Sequence, residues 1–351
     1  MKNCPFHYIT KGDDNDKVIP LLYKAMEKVE LQKKIARLEE QVGKKYSFDS
    51  IIGTSKPITE AINLSKKVAP TDATVLLLGE TGTGKEVFAQ AIHTASTRTG
   101  KSFMAINCSS FSKELLESEI FGHKAGAFTG AIKDKKGLIE EANGGTLFFD
   151  EIGEMPYDLQ SKLLRVLETS EFIKVGDTKT TKVNVRFIAA TNRNMQQEVQ
   201  QGKFREDLFY RLNVFTIELP PLRDRKNDIP ALIQHYIALF SAKTNKKISG
   251  ISAESEELLK QCYWKGNIRE LKNIVERAVI LEDSTTLSKT SLPLDLQSAS
   301  TTADNIYDLT VIEKRHIQKV LEHTRGNKTE TARLLNIGLT TLYRKIDEYK
   351  L

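Results

Sequence analysis

Seven residues constrain this chain more than any others: Gly79-Glu80-Thr81-Gly82-Thr83-Gly84-Lys85, set between the apolar run Thr74–Leu78 and the helical pattern Val87–His93. Strand, glycine loop and helix in that order make a cradle for phosphate. The glycines let backbone N–H groups curl around phosphate oxygens, the N-terminus of the next helix faces them, and Lys85 adds a point charge. A plain glycine turn is the alternative. The generic motif ends in a Ser or Thr whose hydroxyl binds Mg²⁺, but Glu86 follows Lys85 here. Another group must therefore hold or relay to the metal.

A second half for such a site lies at Gly144-Gly145-Thr146-Leu147-Phe148-Phe149-Asp150-Glu151, an apolar strand that ends in two carboxylates. Beside a phosphate loop, Asp150 is expected to hold Mg²⁺, directly or through water, and Glu151 to polarise the attacking water. Away from one, the pair is a solvated acidic turn. A third apolar run, Val185–Ala190, ends in Thr191-Asn192-Arg193 and sets polar amides, that of Asn192 included, beside the same nucleotide.

These runs, with Phe103–Ile106, alternate with helical segments from about Tyr46 to Leu219. That alternation predicts an α/β fold, a parallel sheet with helices on both faces. Residues 228–283 contain no convincing strand and read as a helical bundle, so an all-α lid is expected over 220–283. Over 284–305 Ser, Thr and Asp dominate and the apolar period is lost, the pattern of a flexible linker. Residues 1–45 read as a helical lead-in: Ile19, Leu22, Met26 and Val29 keep helical spacing, and Leu31, Ile35, Leu38 and Val42 repeat it after a phase slip. A short coiled coil and a lone amphipathic helix are both open.

At 351 residues, with 40% hydrophobic and 28% charged content, the chain is expected to be soluble, with two or three folded units. Val75–Leu78 is far too short to span a membrane, and no apolar segment follows the N-terminus as in a signal peptide. Cys4, Cys108 and Cys262 are scattered without metal or disulfide spacing, which predicts a reducing, cytoplasmic setting. The net charge of +6 permits nucleic acid without demanding it.

Gly122-His123-Lys124-Ala125-Gly126-Ala127-Phe128-Thr129-Gly130-Ala131 contains the string GAFTGA. It resembles the signature loop of the bacterial enhancer-binding proteins, AAA+ activators of sigma-54 RNA polymerase. The resemblance runs from Phe48 over nearly the whole remaining chain, through Gly79–Glu86, Leu115–Ala131, Gly144–Pro156, Gln160–Leu167, Phe204–Leu212 and Trp264–Leu281. This family itself has Glu after the loop lysine. The resemblance implies a Mg²⁺-dependent ATPase with its nucleotide cradled by Gly79–Glu86. It further implies that Gly126, Ala127, Phe128, Thr129, Gly130 and Ala131 read the nucleotide state and dock on sigma-54. Small residues let that loop tighten and extend, while Phe128 and Thr129 offer an apolar and a hydroxyl contact.

By the same resemblance, Arg205 and Arg211 match arginines that reach into a neighbour's ATP site, where they neutralise the phosphoryl group in transfer. Arg269 matches the lid arginine that senses the γ-phosphate, and Asn107 the residue that restrains the catalytic glutamate; a buried structural Asn is the alternative for Asn107. Lys265 stands where the family usually has Pro.

Residues 306–351 read as a small helical unit with breaks at Gly326-Asn327 and Ile337-Gly338. A helix over 310–323 is expected to turn Val311, Ile312, His316, Ile317, Val320 and Leu321 inward; Thr329–Leu335 and Thr340–Tyr349 follow. This is the layout of a helix-turn-helix, and the segment resembles the Fis-type domain of the same activators. Nine Lys/Arg against six Asp/Glu allow phosphate contacts, with Thr340, Thr341, Tyr343, Arg344 and Lys345 as the expected DNA contacts. A three-helix protein-interaction bundle is the other reading.

Tyr8-Ile9-Thr10-Lys11 and the helix from Asp16 resemble the last strand and last helix of a two-component receiver, whose remainder is missing from the sequence. A fragment, and an activator that lost its receiver, both fit. Lacking that restraint, the chain is expected to assemble constitutively. The whole pattern implies enhancer-like DNA and sigma-54 RNA polymerase holoenzyme as partners, with dimers closing into a hexameric ring and no membrane association. A DNA-binding scaffold with ATP as a structural ligand and an AAA+ remodeller of another substrate are the alternatives.

Overall fold

Five strands pair into one all-parallel sheet: β1 (Val75–Leu78), β2 (Phe103–Asn107), β3 (Thr146–Asp150), β4 (Arg186–Thr191) and β5 (Phe215–Glu218), in the order β2-β3-β4-β1-β5. The computed structural model describes residues 23, 26–29, 46–294, 296, 309–324 and 326–349. The coiled-coil pattern and the receiver-like strand thus lie almost wholly outside the described residues. Four of the strands are the expected apolar runs. The fifth, at an edge, has no such run: only Ile217 of Phe215-Thr216-Ile217-Glu218 is fully buried, because an edge strand keeps contact with solvent.

Alternate residues of the central strands feed two cores. Val75, Leu77, Phe148, Ile188 and Ala190 pack with α1 (Lys56–Val68) and α2 (Lys85–Thr94). Leu76, Leu147, Phe149, Phe187 and Ala189 pack with α3 (Lys113–Phe121), α4 (Tyr157–Thr169) and α5 (Glu206–Leu212). Burial on both faces is why these strands read as unbroken apolar runs. The register brings their C-terminal ends level: Asn107 lies opposite Asp150, and Leu78 opposite both Thr191 and Glu218. Open parallel sheets bind ligands at that edge.

The helical part contains α6 (Ile229–Thr244), α7 (Ala253–Gln261) and α8 (Asn267–Leu281). The chain divides into two compact units, the first comprising residues up to Tyr236 with Tyr263–Asn273, the second Ile237–Cys262 with Ile274 onward. In the first, the buried Asp228 carboxylate accepts from Thr54 N (2.8 Å), Ser55 N (3.0 Å) and Ser55 Oγ (2.6 Å), joining residues remote in sequence.

In the second unit two expectations fail. Gly250–Ile251 forms a short strand beside Thr286–Leu287, although 228–283 had no strand pattern. Residues 284–292 are also not linker: Leu287 and Leu292 are buried, and the Glu282 carboxylate accepts from Ser284 N, Ser288 N and Ser288 Oγ. Burial works to raise the Glu282 pKa, yet the hydrogen bonds from Ser288 and Ser284 outweigh it and hold the carboxyl down at about 2. Polar composition hides this turn because its polar groups are satisfied internally.

The tail has α9 (Leu309–His323), α10 (Lys328–Leu334) and α11 (Leu339–Tyr349) around Ile317, Ala332, Leu342, Ile346 and Tyr349. Ile312 and His316 are exposed, contrary to expectation. Ile317 is buried and Val320 and Leu321 are half-buried, as expected, and Glu313, one turn before Ile317, meets Lys345 of α11.

Candidate active site

Two glycines of the phosphate loop are there for their backbone. Gly82 (φ 81°) and Gly84 (φ 101°) are left-handed, and a Cβ on Gly82 would stand 2.2 Å from the Gly266 carbonyl oxygen. Lys85, the first residue of α2, is buried; its ammonium donates to the carbonyls of Gly79 (2.8 Å) and Glu80 (3.3 Å) and lies 3.8 Å from Glu151. Burial lowers the Lys85 pKa, the carboxylates of Glu151 and Asp150 oppose this, and Arg269 adds a further downward push. Thr83 Oγ1 closes the loop on the Glu80 carbonyl (2.8 Å), and Thr81 Oγ1 accepts from the Asn192 amide (2.8 Å). Glu86 is exposed and accepts from Gln90 one turn along α2 (3.2 Å), away from the loop's own contacts.

The acid pair straddles the C-terminal end of β3. The Asn107 amide donates to Asp150 Oδ2 at 3.2 Å, as their register dictates. Glu151 lies one residue beyond the strand in a left-handed conformation (φ 50°), and its carboxylate accepts from Asn192 N at 3.3 Å. Asn107 therefore holds Asp150 in this structure, and not Glu151 as the resemblance implied. The Cys108 N–H donates to the Asp150 carbonyl (3.0 Å), and burial plus the neighbouring carboxylates push its thiol up to about 12, so it is inert.

A Mg²⁺ ion fits this donor set. Asp150 offers a hard, half-buried carboxylate beside the loop, and Mg²⁺ held with a nucleotide needs only one or two carboxylates besides phosphate and water. Among the described residues no group of three or more His, Cys, Asp and Glu could hold a metal by protein alone. A cleft of about 710 Å³ opens at the ends of β1, β4 and β5, lined by Gly79, Glu80, Asn192, Arg193, Asn194 and Phe209 among others.

The loop also meets the start of α8. Ile268 N donates to the Gly82 carbonyl (3.0 Å), and the Asn267 amide donates to Glu80 Oε2 and to the Thr81 carbonyl, both at 3.1 Å. Two residues on, Arg269 is exposed beside Gly82 and Lys85. Arg223 grips the Glu80 carboxylate with both nitrogens, at 2.8 and 2.6 Å. Sequence reading missed Arg223 and Asn267: no spacing rule relates them to a loop more than a hundred residues earlier.

Other expected residues stand apart from the loop's contacts. Arg205 caps α5, pairs with Asp207 (2.7 Å) and lies over the Tyr157 ring, while Arg211 donates to the Leu167 carbonyl (2.9 Å). The string Gly126–Ala131 is a closed turn: Gly126 N donates to the Ala131 carbonyl (2.8 Å), and Gly126 and Gly130 are left-handed. Phe128 sits edge-on to His123 yet is 38% exposed, and Ile132 beside it is 85% exposed. In the tail, Thr340, Tyr343 and Arg344 are exposed and Thr341 is half-buried. Lys345 is not free for DNA: its ammonium donates to Glu313 (2.7 Å) and Tyr349 Oη (3.1 Å) because α11 turns it toward α9.

A phosphate loop after β1, an acid pair after β3 and polar groups after β4 define a P-loop ATPase of the AAA+ class. Comparison with known proteins narrows this. Residues 51–218 match the sigma-54 interaction domain, 223–309 the AAA+ ATPase lid domain and 309–349 the Fis family of bacterial regulatory proteins. The chain is 41% identical over 355 residues to the regulatory protein AtoC of Escherichia coli, covering 98% of this chain and 77% of AtoC. It is 41% identical to the transcriptional regulatory protein ZraR of Klebsiella oxytoca, covering 99% and 78%. With the nitrogen fixation protein AnfA of Azotobacter vinelandii it shares 42% over 93% of this chain and 62% of AnfA. The crystal structure of NtrX from Brucella abortus in complex with ATP superposes with a TM-score of 0.71 at 30% identity, covering 98% of this chain and 78% of NtrX. The chain belongs to the family of sigma-54-dependent transcriptional activators, AAA+ ATPases that carry a Fis-type helix-turn-helix.

Proposed function

We propose that this activator closes head-to-tail into a ring, a hexamer, with ATP between protomers, and spends hydrolysis on remodelling the closed complex of sigma-54 RNA polymerase holoenzyme into an open one. Water attacks the γ-phosphorus of ATP, the bond to the β–γ bridging oxygen breaks, and ADP and phosphate leave. Glu151 polarises the water and takes its proton, Lys85 and the loop amides hold the phosphates, and Arg269 senses the γ-phosphate. Asp150, oriented by Asn107, would hold Mg²⁺, which when bound neutralises charge on the phosphates. Arg205 and Arg211 serve the neighbouring protomer's site, which agrees with their distance from this loop's hydrogen-bond network.

Thr340, Thr341, Tyr343 and Arg344 contact enhancer-like DNA, while Lys345 supports them from within the fold. No described helix is long and apolar enough to cross a membrane, which agrees with action in the cytoplasm. The receiver-like pattern at Tyr8–Lys11 supports descent from a two-component regulator.

One observation carries the reading: the turn Gly126–Ala131 presents Phe128 and Thr129 to solvent, and Ile132 directly after it is exposed too. The test is co-migration with sigma-54 in ADP and aluminium fluoride, which mimics the phosphoryl group in flight. Wild type should be trapped and Thr129→Ala should not. A protein that hydrolyses ATP yet never traps sigma-54 would refute the assigned partner.

A further inference from the structure

The second residue of the phosphate loop is an acid, and its carboxylate is the wrong charge beside a nucleotide's phosphates. Two residues from distant segments meet it. Arg223 donates to both Glu80 oxygens, at 2.8 and 2.6 Å, and the Asn267 amide adds a third donor at 3.1 Å. Together they hold the Glu80 carboxyl below its ordinary pKa.

Asn267 is fully buried, and every polar atom of its side chain is used. Its Nδ2 also donates to the Thr81 carbonyl, while its Oδ1 accepts from Leu222 N at 2.7 Å. It adopts a left-handed backbone (φ 51°), a strained conformation that such full engagement sustains. Ile268 N then bonds the Gly82 carbonyl, and the Gly266 carbonyl packs so closely on Gly82 that Gly82 cannot carry a Cβ. The Arg223 guanidinium is itself placed over the Tyr263 ring, 4.9 Å from its centroid.

We infer that Arg223 and Asn267 are positioning residues for nucleotide binding: they neutralise Glu80 and dock the phosphate loop on the segment that carries Arg269. Neither need touch the nucleotide. Loss of Arg223 leaves the Glu80 charge without a cation, and it repels ATP; loss of the Asn267 donor frees the loop from its dock. This rests on Gly79–Lys85 being the nucleotide site, and Lys85→Ala tests that separately.

The experiment is titration of the full chain with a fluorescent ATP analogue, alongside melting curves without nucleotide. Arg223→Gln should weaken binding about ten-fold or more, as expected for a lost charge-assisted pair. Glu80→Gln should weaken it less, and adding Glu80→Gln to Arg223→Gln should restore much of the loss, because the repelling charge is gone. A parallel pair guards against misfolding of Arg223→Gln. Asn267→Asp sets a carboxylate against Glu80 and should impair binding, and Glu80→Gln with Asn267→Asp should recover it by exchanging donor and acceptor. A purely structural role would give equal loss with or without Glu80→Gln. Lack of rescue in both pairs, or wild-type binding by Arg223→Gln and Asn267→Asp, overturns the inference. Unchanged binding in Lys85→Ala would instead overturn the nucleotide site itself.

Discussion

The Asn107 amide donates to Asp150 Oδ2 at 3.2 Å across the β2–β3 register, while Glu151 turns away and takes Asn192 N. The two carboxylates are thus oriented by groups at the ends of different strands. Asn107→Ala should therefore disturb Asp150 first. The Mg²⁺ concentration that half-saturates ATP turnover should rise about ten-fold, as when the group orienting a metal ligand is removed, while nucleotide binding in chelator changes little. A loss of turnover that no Mg²⁺ concentration repairs would place Asn107 with Glu151 after all.

Glu151→Gln keeps the shape of the side chain and removes the proposed base. ATP binding should persist while turnover falls about 10²–10⁴-fold. Steady-state phosphate release and an equilibrium binding curve on the same preparation decide it.

Arg211→Ala and Lys85→Ala should each abolish turnover, the first from a neighbour's site and the second from its own. Mixed in equal amounts, the two dead variants should regain a measurable fraction of wild-type ATPase, since an intact Arg211 on one protomer serves an intact loop on the next. No recovery at any ratio would put Arg211 outside the neighbour's site.

Two adjacent cations, two and three residues after Leu342, should behave differently. Arg344→Ala should reduce the slope of log affinity for DNA against log salt by about one, the mark of a lost phosphate contact. Lys345→Ala should lower the melting temperature of the tail instead, because its ammonium holds Glu313 and Tyr349. The reverse assignment would show in the salt slopes.

Glu282 makes stability depend on acid. Its folded pKa, about 2, lies below the ordinary 4.5, so its contribution is full above about 4.5 and is lost as pH falls toward 2. The urea midpoint of Glu282→Gln should trail wild type at neutral pH and converge with it in acid. A gap constant with pH would mean that the carboxylate charge contributes nothing.

Residues that announce themselves in sequence do so through local chemistry. Gly82, Gly84 and Lys85 share one loop, Asp150 and Glu151 end one strand, and Asn192 ends another, so apolar runs and turn residues sufficed to place them. The edge strand Phe215–Glu218 lacked that signal because water reaches it, and the Thr286–Leu287 strand because only two residues pair. On α9 the places of Ile312 and His316 were misjudged, and Glu313 faces a lysine that sequence alone does not bring near.

By itself, then, the amino-acid order determined the strand–loop–helix units, the acid pair, the Gly126–Ala131 string and the tail's three helices. Each depends on interactions within a few residues: backbone conformations open to glycine, the period-two burial of strands and the caps of helices. Tertiary structure alone decided that Asn107 serves Asp150, that Lys345 faces Glu313, and that Arg223 and Asn267 converge on Glu80 from 143 and 187 residues away. Such pairs form because parallel register and helix packing bring donors to acceptors, and the cost of leaving a polar group unpaired is set in space, not along the chain.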